Sequence, residues 1–407
     1  MNCRFCATHL SELFLDLGGA PPSNAFLTAA DLNASELYFP LRLFTCPACL
    51  LVQVDEVQKH EALFSSEYVY FSSYSRTWLM HAENYVQLAI GRLGLNQNSL
   101  VMEIASNDGY LLQYVKAHDI PCIGVEPTAS TAAIARERGI ESLERFFGQN
   151  FAHEFIAERR QADLVIGNNV LAHVPDINDF VAGLATVLTQ QGVVTVEFPH
   201  LLQLIEQRQF DTVYHEHFSY FSFHTAQHIF AAHDLRVWDV EELPTHGGSL
   251  RLWACRNDAA HVQTATVAAL LAKELAAGMR NIDYYRGFQP LADMIKNNFL
   301  TFLLDSKLAG KQVVGYGAAA KGNTLLNYAG VKPDLITYVV DASPHKQGRY
   351  LPGSHIPVVS EAHIRKSRPD FVVIFPWNLR QEITEQLSYI REWGAMFITA
   401  VPSLHME

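Results

Sequence analysis

Four cysteines in two tight pairs, Cys3-x-x-Cys6 and Cys46-x-x-Cys49, constrain the fold of this chain more than any other feature. A C-x2-C knuckle offers two thiolates from one turn, and two knuckles deliver four to one tetrahedral Zn²⁺. Residues 3 and 49 must then meet. The stretch between, including Leu15-Asp-Leu-Gly-Gly-Ala-Pro-Pro-Ser-Asn-Ala-Phe26, mixes turn residues with single large apolar anchors, as in a short meander folded round a metal. Four thiolates leave no open coordination position, so the zinc is expected to be structural and residues 1–75 to form a zinc-binding module. A zinc ribbon can also read nucleic acid, but a formal net charge of −12 argues against that partner.

Beyond the second knuckle, Phe64 to Ser75 is dense in tyrosine and serine, Tyr68 among them, and Thr77 to Leu93 has the apolar period of an amphipathic helix. From Ser99 strands and helices alternate. Leu100–Ile104, Cys122–Glu126, Asp163–Gly167 and Gly192–Phe198 read as buried strands, with helices over Tyr110–His118 and Ala129–Arg138. Such alternation builds a parallel sheet covered on both faces, with a ligand crevice at the carboxyl ends of its strands.

The first turn at that edge, Ala105-Ser-Asn-Asp-Gly109, lies between Glu103 and a short helix. Gly109 and the small Ala105 are expected to admit a ligand close to Asn107 and Asp108, and Glu126 ends the second strand where a ribose diol would accept bidentate hydrogen bonding. The turn lacks the glycines of a dinucleotide cradle. An acidic, glycine-poor turn suits a cationic nucleoside donor, S-adenosylmethionine. Asn168 and Asn169 follow a later strand at the same edge and could line the donor pocket, with His173 over the methyl region. Further on, Tyr214-His-Glu-His217 lies among aromatics, where apolar walls can tune proton-transfer groups. An extended backbone would put His215 and His217 on one face; a helix would fan all four out. His217 and His215 are the alternative bases.

In the last third, His246-Gly247-Gly-Ser leads into a strand (Leu250–Cys255) and could let a sugar or phosphate approach the backbone. A long helical stretch is expected from Val262 to Leu308. A second α/β unit follows, with strands at Gln312–Tyr316, Ile336–Asp341 and Asp370–Phe375. Its glycine turn opens a helix with Lys321 and Asn323 near the start, a good place for phosphate, and Lys346 and Arg349 add positive charge to the same edge. With 49% hydrophobic residues over 407 positions the chain can bury large cores and divide into two or three domains. It carries no secretion signal and no apolar run near the roughly 18 residues that span a bilayer, so a cytoplasmic protein without membrane partners is expected.

Taken in order, Cys3-x-x-Cys6 with Cys46-x-x-Cys49, Glu103-Ile-Ala-Ser-Asn-Asp-Gly109, Asn168-Asn-Val-Leu-Ala-His173, Tyr214-His-Glu-His217, His246-Gly-Gly-Ser249 and Gly315-Tyr-Gly-Ala-Ala-Ala-Lys-Gly-Asn323 resemble the bacterial deoxysugar C-methyltransferases. The resemblance runs nearly end to end. It implies an α/β chain of three parts: the zinc-binding module, a class I methyltransferase Rossmann-like domain (76–258) and a C-terminal Rossmann-like α/β domain for a nucleotide sugar (259–407). It implies methyl transfer from S-adenosylmethionine to carbon 3 of a nucleotide-linked 4-keto-6-deoxysugar, through deprotonation next to the ketone. His217 is then the favoured base, with Tyr214 and Glu216 beside it and Tyr68 and His173 as further active-site members. Two rival readings are an NAD(P)-dependent oxidoreductase using the C-terminal domain and a non-enzymatic zinc adaptor. Oligomeric state is left open, a monomer included.

Overall fold

A computed structural model of the chain describes residues 1–55 and 72–407, arranged as three β-sheets with helices about them. In the first sheet β1 (Glu12–Ala20), β2 (Phe39–Thr45) and β3 (Val52–Val54) run antiparallel, the meander expected between the cysteine pairs. Leu41, Leu43 and Thr45 of β2 are buried while Arg42 turns outward to Asp55, the two-residue period of a half-buried strand. The amides of Ala7 and Leu50 donate to the carbonyls of Cys3 and Cys46 at 3.0 Å. Both residues take left-handed backbone, φ 58° and 62°, which folds each knuckle back on itself.

The middle of the chain forms a seven-stranded sheet. Its strands are β4 (Val101–Ile104), β5 (Cys122–Val125), β6 (Glu141–Leu143), β7 (Ala162–Asn168) and β8 (Leu188–Pro199), after which β9 (Ser219–Tyr220) returns to pair with β3 of the first sheet. Then β10 (Leu235–Leu243) and β11 (Ser249–Arg256) complete the order β10-β11-β8-β7-β4-β5-β6, in which β11 is antiparallel to both neighbours. From β4 the chain builds β5 and β6 on one side and then β7 and β8 on the other. The loops leaving β4 and β7 therefore diverge and open a crevice at their carboxyl ends.

The third sheet repeats this plan. It comprises β12 (Val313–Tyr316), β13 (Val339–Val340), β14 (Val358–Val359), β15 (Phe371–Ile374), β16 (Met396–Thr399) and β17 (His405–Met406), in the order β14-β13-β12-β15-β16-β17. All its pairings are parallel except that of β17, and a second crevice opens between β12 and β15.

The helix expected near Thr77 spans Arg76–Leu93, capped by the Ser75 hydroxyl, which accepts from the Trp78 amide at 3.2 Å. Ala82, Tyr85, Val86 and Ala89 form its buried stripe. The helical stretch expected over Val262–Leu308 is corrected to two helices, Ala265–Ala277 and Phe288–Leu308. Gly278 ends the first in left-handed backbone (φ 94°), and the Asn281 side chain caps a short turn before the second. The break changes partners. Val267 and Leu270 pack with the second sheet's core, whereas Phe288, Ile295 and Phe299 pack with the first and third sheets, Phe288 stacking on Phe14 at 4.9 Å. One apolar cluster thus runs from Leu41 and Leu43 through Phe210 and Val213 to Phe299 and Val373, tying the zinc module to the C-terminal unit. No helix among the described residues is long and apolar enough to cross a membrane.

Candidate active site

The sulfurs of Cys3, Cys6, Cys46 and Cys49 all lie within 4.8 Å of one another, with Cys3–Cys49 and Cys6–Cys46 at 3.5 Å. A tetrahedral ion with bonds of about 2.3 Å separates its sulfurs by about 3.8 Å, so the set fits zinc with little adjustment. The Gln53 side-chain amide donates to Cys3 Sγ at 3.3 Å, a hydrogen bond that steadies a thiolate ligand.

At the carboxyl edge of the second sheet the acids gather as expected. Glu126 Oε1 and Oε2 accept from the amides of Thr128 (2.8 Å) and Asn107 (2.9 Å), which fixes the carboxylate and leaves lone pairs for a ligand. Glu103 Oε2, Asp108 Oδ1, both side-chain atoms of Asn168 and Asn169 Oδ1 are buried with no hydrogen-bond partner. Buried polar atoms are normally paired, so a cluster of orphans at one strand edge marks a ligand position. Burial, with Asp108 and Glu126 nearby, pushes the Glu103 carboxyl well above its usual range. Ala105 takes the left-handed backbone (φ 54°) that glycine would take more cheaply. Gly109 (φ 76°) also has a packing role. A Cβ there would lie 2.6 Å from Ile140 Cδ1, so it serves packing of the strand edge. Ser73 donates to Asp108 and the Ser72 amide to Asn107 Oδ1 (3.0 Å), closing the chain over the donor turn. Tyr68 lies outside the described residues.

Residues 214–217 are neither strand nor helix. They form a turn in which the His217 amide donates to the Tyr214 carbonyl (3.0 Å), so residues three apart come together. The Tyr214 hydroxyl lies 2.8 Å from His217 Nε2, with the rings 4.1 Å apart. A neutral imidazole has one donor and one acceptor nitrogen, so Nε2 can accept from the Tyr214 hydroxyl. His173 meets His217 edge to face at 4.6 Å, and its Nδ1 donates to the Glu216 carbonyl (2.8 Å). Burial, reinforced by His173, His246 and Lys321, holds His217 well below the usual imidazole range, and burial brings His173 down to about 4. Both rings are neutral, as a proton acceptor must be. His215 faces away, its Nε2 donating to the Pro40 carbonyl at 3.2 Å. The Glu216 carboxylate has a partner of its own. Instead of orienting His217 it takes the Asn24 amide on both oxygens at 2.8 Å, and burial raises its pKa to about 7.

His246 lies beside this group in left-handed backbone (φ 55°), its Nε2 3.2 Å from Asn169 Nδ2 and its ring 5.3 Å from Trp78. It therefore stands between the donor edge and the Tyr214–His217 pair. Glu197, buried at the end of β8, anchors this turn through Thr245 (2.8 Å) and is itself held by Arg251 (3.0 Å). Gly247 (φ 91°) admits Trp377: an added Cβ would be 2.4 Å from its ring.

The third sheet's glycine turn differs most from expectation. A Cβ at Gly315 would lie 2.5 Å from the Phe375 ring and one at Gly317 2.4 Å from Pro376 Cδ, so the second crevice is filled by the chain's own Phe375-Pro-Trp377. The Ala318 amide is taken by Asp341 Oδ2 (2.8 Å), and Lys346 donates to the Ala318 carbonyl (2.8 Å). Gly317→Ala, with left-handed φ 90° and a blocked Cβ, is expected to destabilise the protein by about 2–4 kcal/mol with or without nucleotide, read by denaturant unfolding. Arg349 is exposed, and Asp31 feels its charge. Asn323 donates to the Ser23 carbonyl at 2.6 Å, leaving Oδ1 without a partner.

Lys321 lies near enough to His217 for its charge to help hold that imidazole low. Its Nζ donates to Asn378 Oδ1 (2.8 Å) and lies 4.3 Å from the Trp377 ring centroid, and Trp377 Nε1 donates to Asp211 Oδ2 (2.8 Å). Sequence reasoning passed over Asn24, Asp211, Trp377 and Asn378. Only the last two carry a signal: they directly follow a strand at a switch point.

Three family profiles match the chain: a zinc binding domain over residues 3–64, a methyltransferase domain over 78–240 and a C-methyltransferase C-terminal domain over 244–402. The C-methyltransferase NovU of Streptomyces niveus is 32% identical over 401 residues, covering 98% of this chain and 95% of that protein. Among solved structures, magnesium protoporphyrin IX methyltransferase (ChlM) from Synechocystis PCC 6803 with bound SAM is 14% identical, covers 44% of this chain and 79% of its own, and has a TM-score of 0.33. The PH0226 protein of Pyrococcus horikoshii OT3 is 14% identical over 49% of this chain and 99% of its own, with a TM-score of 0.38.

Proposed function

The chain belongs to the S-adenosylmethionine-dependent C-methyltransferases, and on that premise we propose that it methylates a ring carbon beside the ketone of a nucleotide-linked 4-keto-6-deoxysugar, carbon 3. Its middle sheet has the class I methyltransferase fold, preceded by the zinc-binding cysteine cluster. The observation that carries the chemistry is the desolvated Tyr214–His217 pair, 2.8 Å apart beside His173 and next to an edge of orphaned polar atoms. A neutral imidazole in such a place can take a proton from a substrate, and the likeness to a C-methyltransferase over nearly the whole chain points to a carbon-bound one. The ordered motifs support the ketosugar as acceptor.

S-adenosylmethionine supplies an electrophilic methyl group on a sulfonium. Glu126 would hold its ribose hydroxyls, and Glu103, Ala105, Asn107, Asp108, Gly109, Asn168 and Asn169 would surround the rest, the buried acids offsetting its charge. His217 Nε2 takes the proton from carbon 3. Tyr214 keeps that nitrogen oriented until substrate enters, and His173, fixed through the Glu216 carbonyl, forms the opposite wall. Nothing favours hydride transfer by the C-terminal unit, whose glycines Gly315 and Gly317 make way for Phe375 and Pro376.

The test is mass spectrometry and NMR of products from a panel of nucleotide 4-keto-6-deoxysugars with methyl-labelled donor. A carbon-bound methyl at C3 is expected. Label on oxygen, or on no ketosugar in the panel, would sink the reading.

A further inference from the structure

Lys321 is a half-buried cation that base chemistry at His217 leaves without a task. Three elements fix its place. Its own helix, Ala320–Tyr328, docks through Thr324, whose hydroxyl donates to the Val213 carbonyl at 2.7 Å, directly before Tyr214. Thr324 and Lys321 are three residues apart on one helix face, so the lysine lies one turn away from that contact. The segment after β15 supplies Asn378 as acceptor and Trp377 as a ring beside the ammonium. Trp377 in turn abuts Gly247, next to His246, and binds Asp211 in the short helix Phe210–Thr212, which ends just before Val213 and Tyr214.

An ammonium has three donors, and one is used by Asn378. The Trp377 face accommodates the charge without accepting a strong hydrogen bond. Withdrawing such a group even partly from water is unfavourable unless an anion or polar oxygen offsets it. Asp211 is the nearby anion, yet its Oδ2 is engaged by Trp377 and its Oδ1 has no hydrogen-bond partner. The arrangement therefore has spare donors beside the proposed base, ready for an oxygen that becomes negative.

We propose that Lys321 is the electrophilic partner of His217, its ammonium hydrogen-bonding the ketone oxygen of the bound sugar and stabilising the charge that gathers there. The proposal rests on the ketosugar reading above. As the C3–H bond breaks, the proton goes to His217 Nε2 and its electron pair moves through the new C3–C4 double bond to place negative charge on the C4 oxygen, opposite the Lys321 ammonium. When the carbon attacks the methyl group that pair returns: the C3–CH3 bond forms, the C–S bond breaks, the sulfur keeps its pair as a neutral thioether and the C4 ketone is restored. Lys321 gives up no proton overall. Its charge has a second effect, since together with His173 and His246 it disfavours protonation of His217. Burial brings Lys321 down to about 8, partly offset by Asp211, so it remains mostly charged near pH 7.

The experiment compares wild type, Lys321→Met and Lys321→Arg. It reads nucleotide-sugar affinity by calorimetry with S-adenosylhomocysteine present, and solvent exchange of the substrate C3 proton at saturating sugar. Lys321→Met is expected to keep affinity within about threefold and to exchange at least about 100-fold more slowly, the cost of one oxyanion donor. Lys321→Arg keeps the charge but misplaces it, and is expected to exchange more slowly than wild type and faster than Lys321→Met. Unchanged exchange in a folded Met variant, or lost affinity with unchanged exchange at saturation, would overturn the proposal and make Lys321 a mere anchor. Should the Met variant fail to fold, wild-type exchange rates in Lys321→Arg would overturn it equally. A wild-type protein that exchanges no ketosugar in the panel would instead overturn the substrate reading, and this proposal with it.

Discussion

Cys46→Ser is expected to yield a protein that does not assemble its active site, with zinc lost and thermal unfolding shifted down by well over 10 °C. Structural zinc contributes about 10–16 kcal/mol of binding free energy to small domains, against about 5–15 kcal/mol for the stability of a whole domain. The consequence reaches beyond the first sheet. Cys46 opens the turn into β3, with its amide bonded to the Leu51 carbonyl (2.9 Å), and β3 pairs with β9 only two residues past His217. The same module lends Asn24 to Glu216 and Pro40 to His215. Metal analysis should find one zinc per wild-type chain, and a strong chelator should reproduce the variant's loss of stability. A zinc-free protein of full stability and activity would show the site to be dispensable.

That dependence explains which parts of the site could be read from sequence. The cysteine pairs are local patterns whose chemistry dictates their meeting. The acids at Glu103, Asp108 and Glu126 are legible for a related reason: a parallel sheet sends its strand ends to one edge, so position along the chain gives position in space. The Tyr214–His217 segment is legible in content but not in geometry. Strand and helix periods both fail for a turn, and only the turn pairs residues 214 and 217 while sending His215 and Glu216 elsewhere.

What stayed hidden came from far along the chain. Asn24 lies 192 residues from Glu216, and Trp377 lies 166 from Asp211. No local pattern links such pairs, because their meeting follows from how three sheets pack. The glycines of the third sheet teach a narrower lesson. Gly315 and Gly317 do mark a close approach, as glycines should, but the approaching group is Phe375-Pro376 and not a phosphate. Lys321 is engaged by Asn378 and the Trp377 ring.

His217→Gln should separate binding from chemistry most sharply. Glutamine keeps a polar group that can hydrogen-bond Tyr214 and fits the space of the imidazole, yet it cannot accept a proton from carbon. Donor and nucleotide-sugar affinities are expected within about threefold of wild type, with C3 proton exchange slowed about 10³-fold or more, in the range of a lost general base. The wild-type pH profile follows from the same groups. His217 acts as base only when neutral, and its folded pKa is held well below the ordinary imidazole value, so exchange falls only as pH drops below that range. Lys321 acts only when charged, so exchange falls as pH rises through about 8. Between them lies a plateau around pH 7, shared with Glu216, which titrates near 7 but faces Asn24 and not the reacting carbon. Lys321→Met should remove the alkaline limb and leave the acid limb in place. An acid limb that persists unchanged in His217→Gln, together with near-normal exchange, would move the base to another residue, and Tyr214, already hydrogen-bonded to this ring, would be the first to examine.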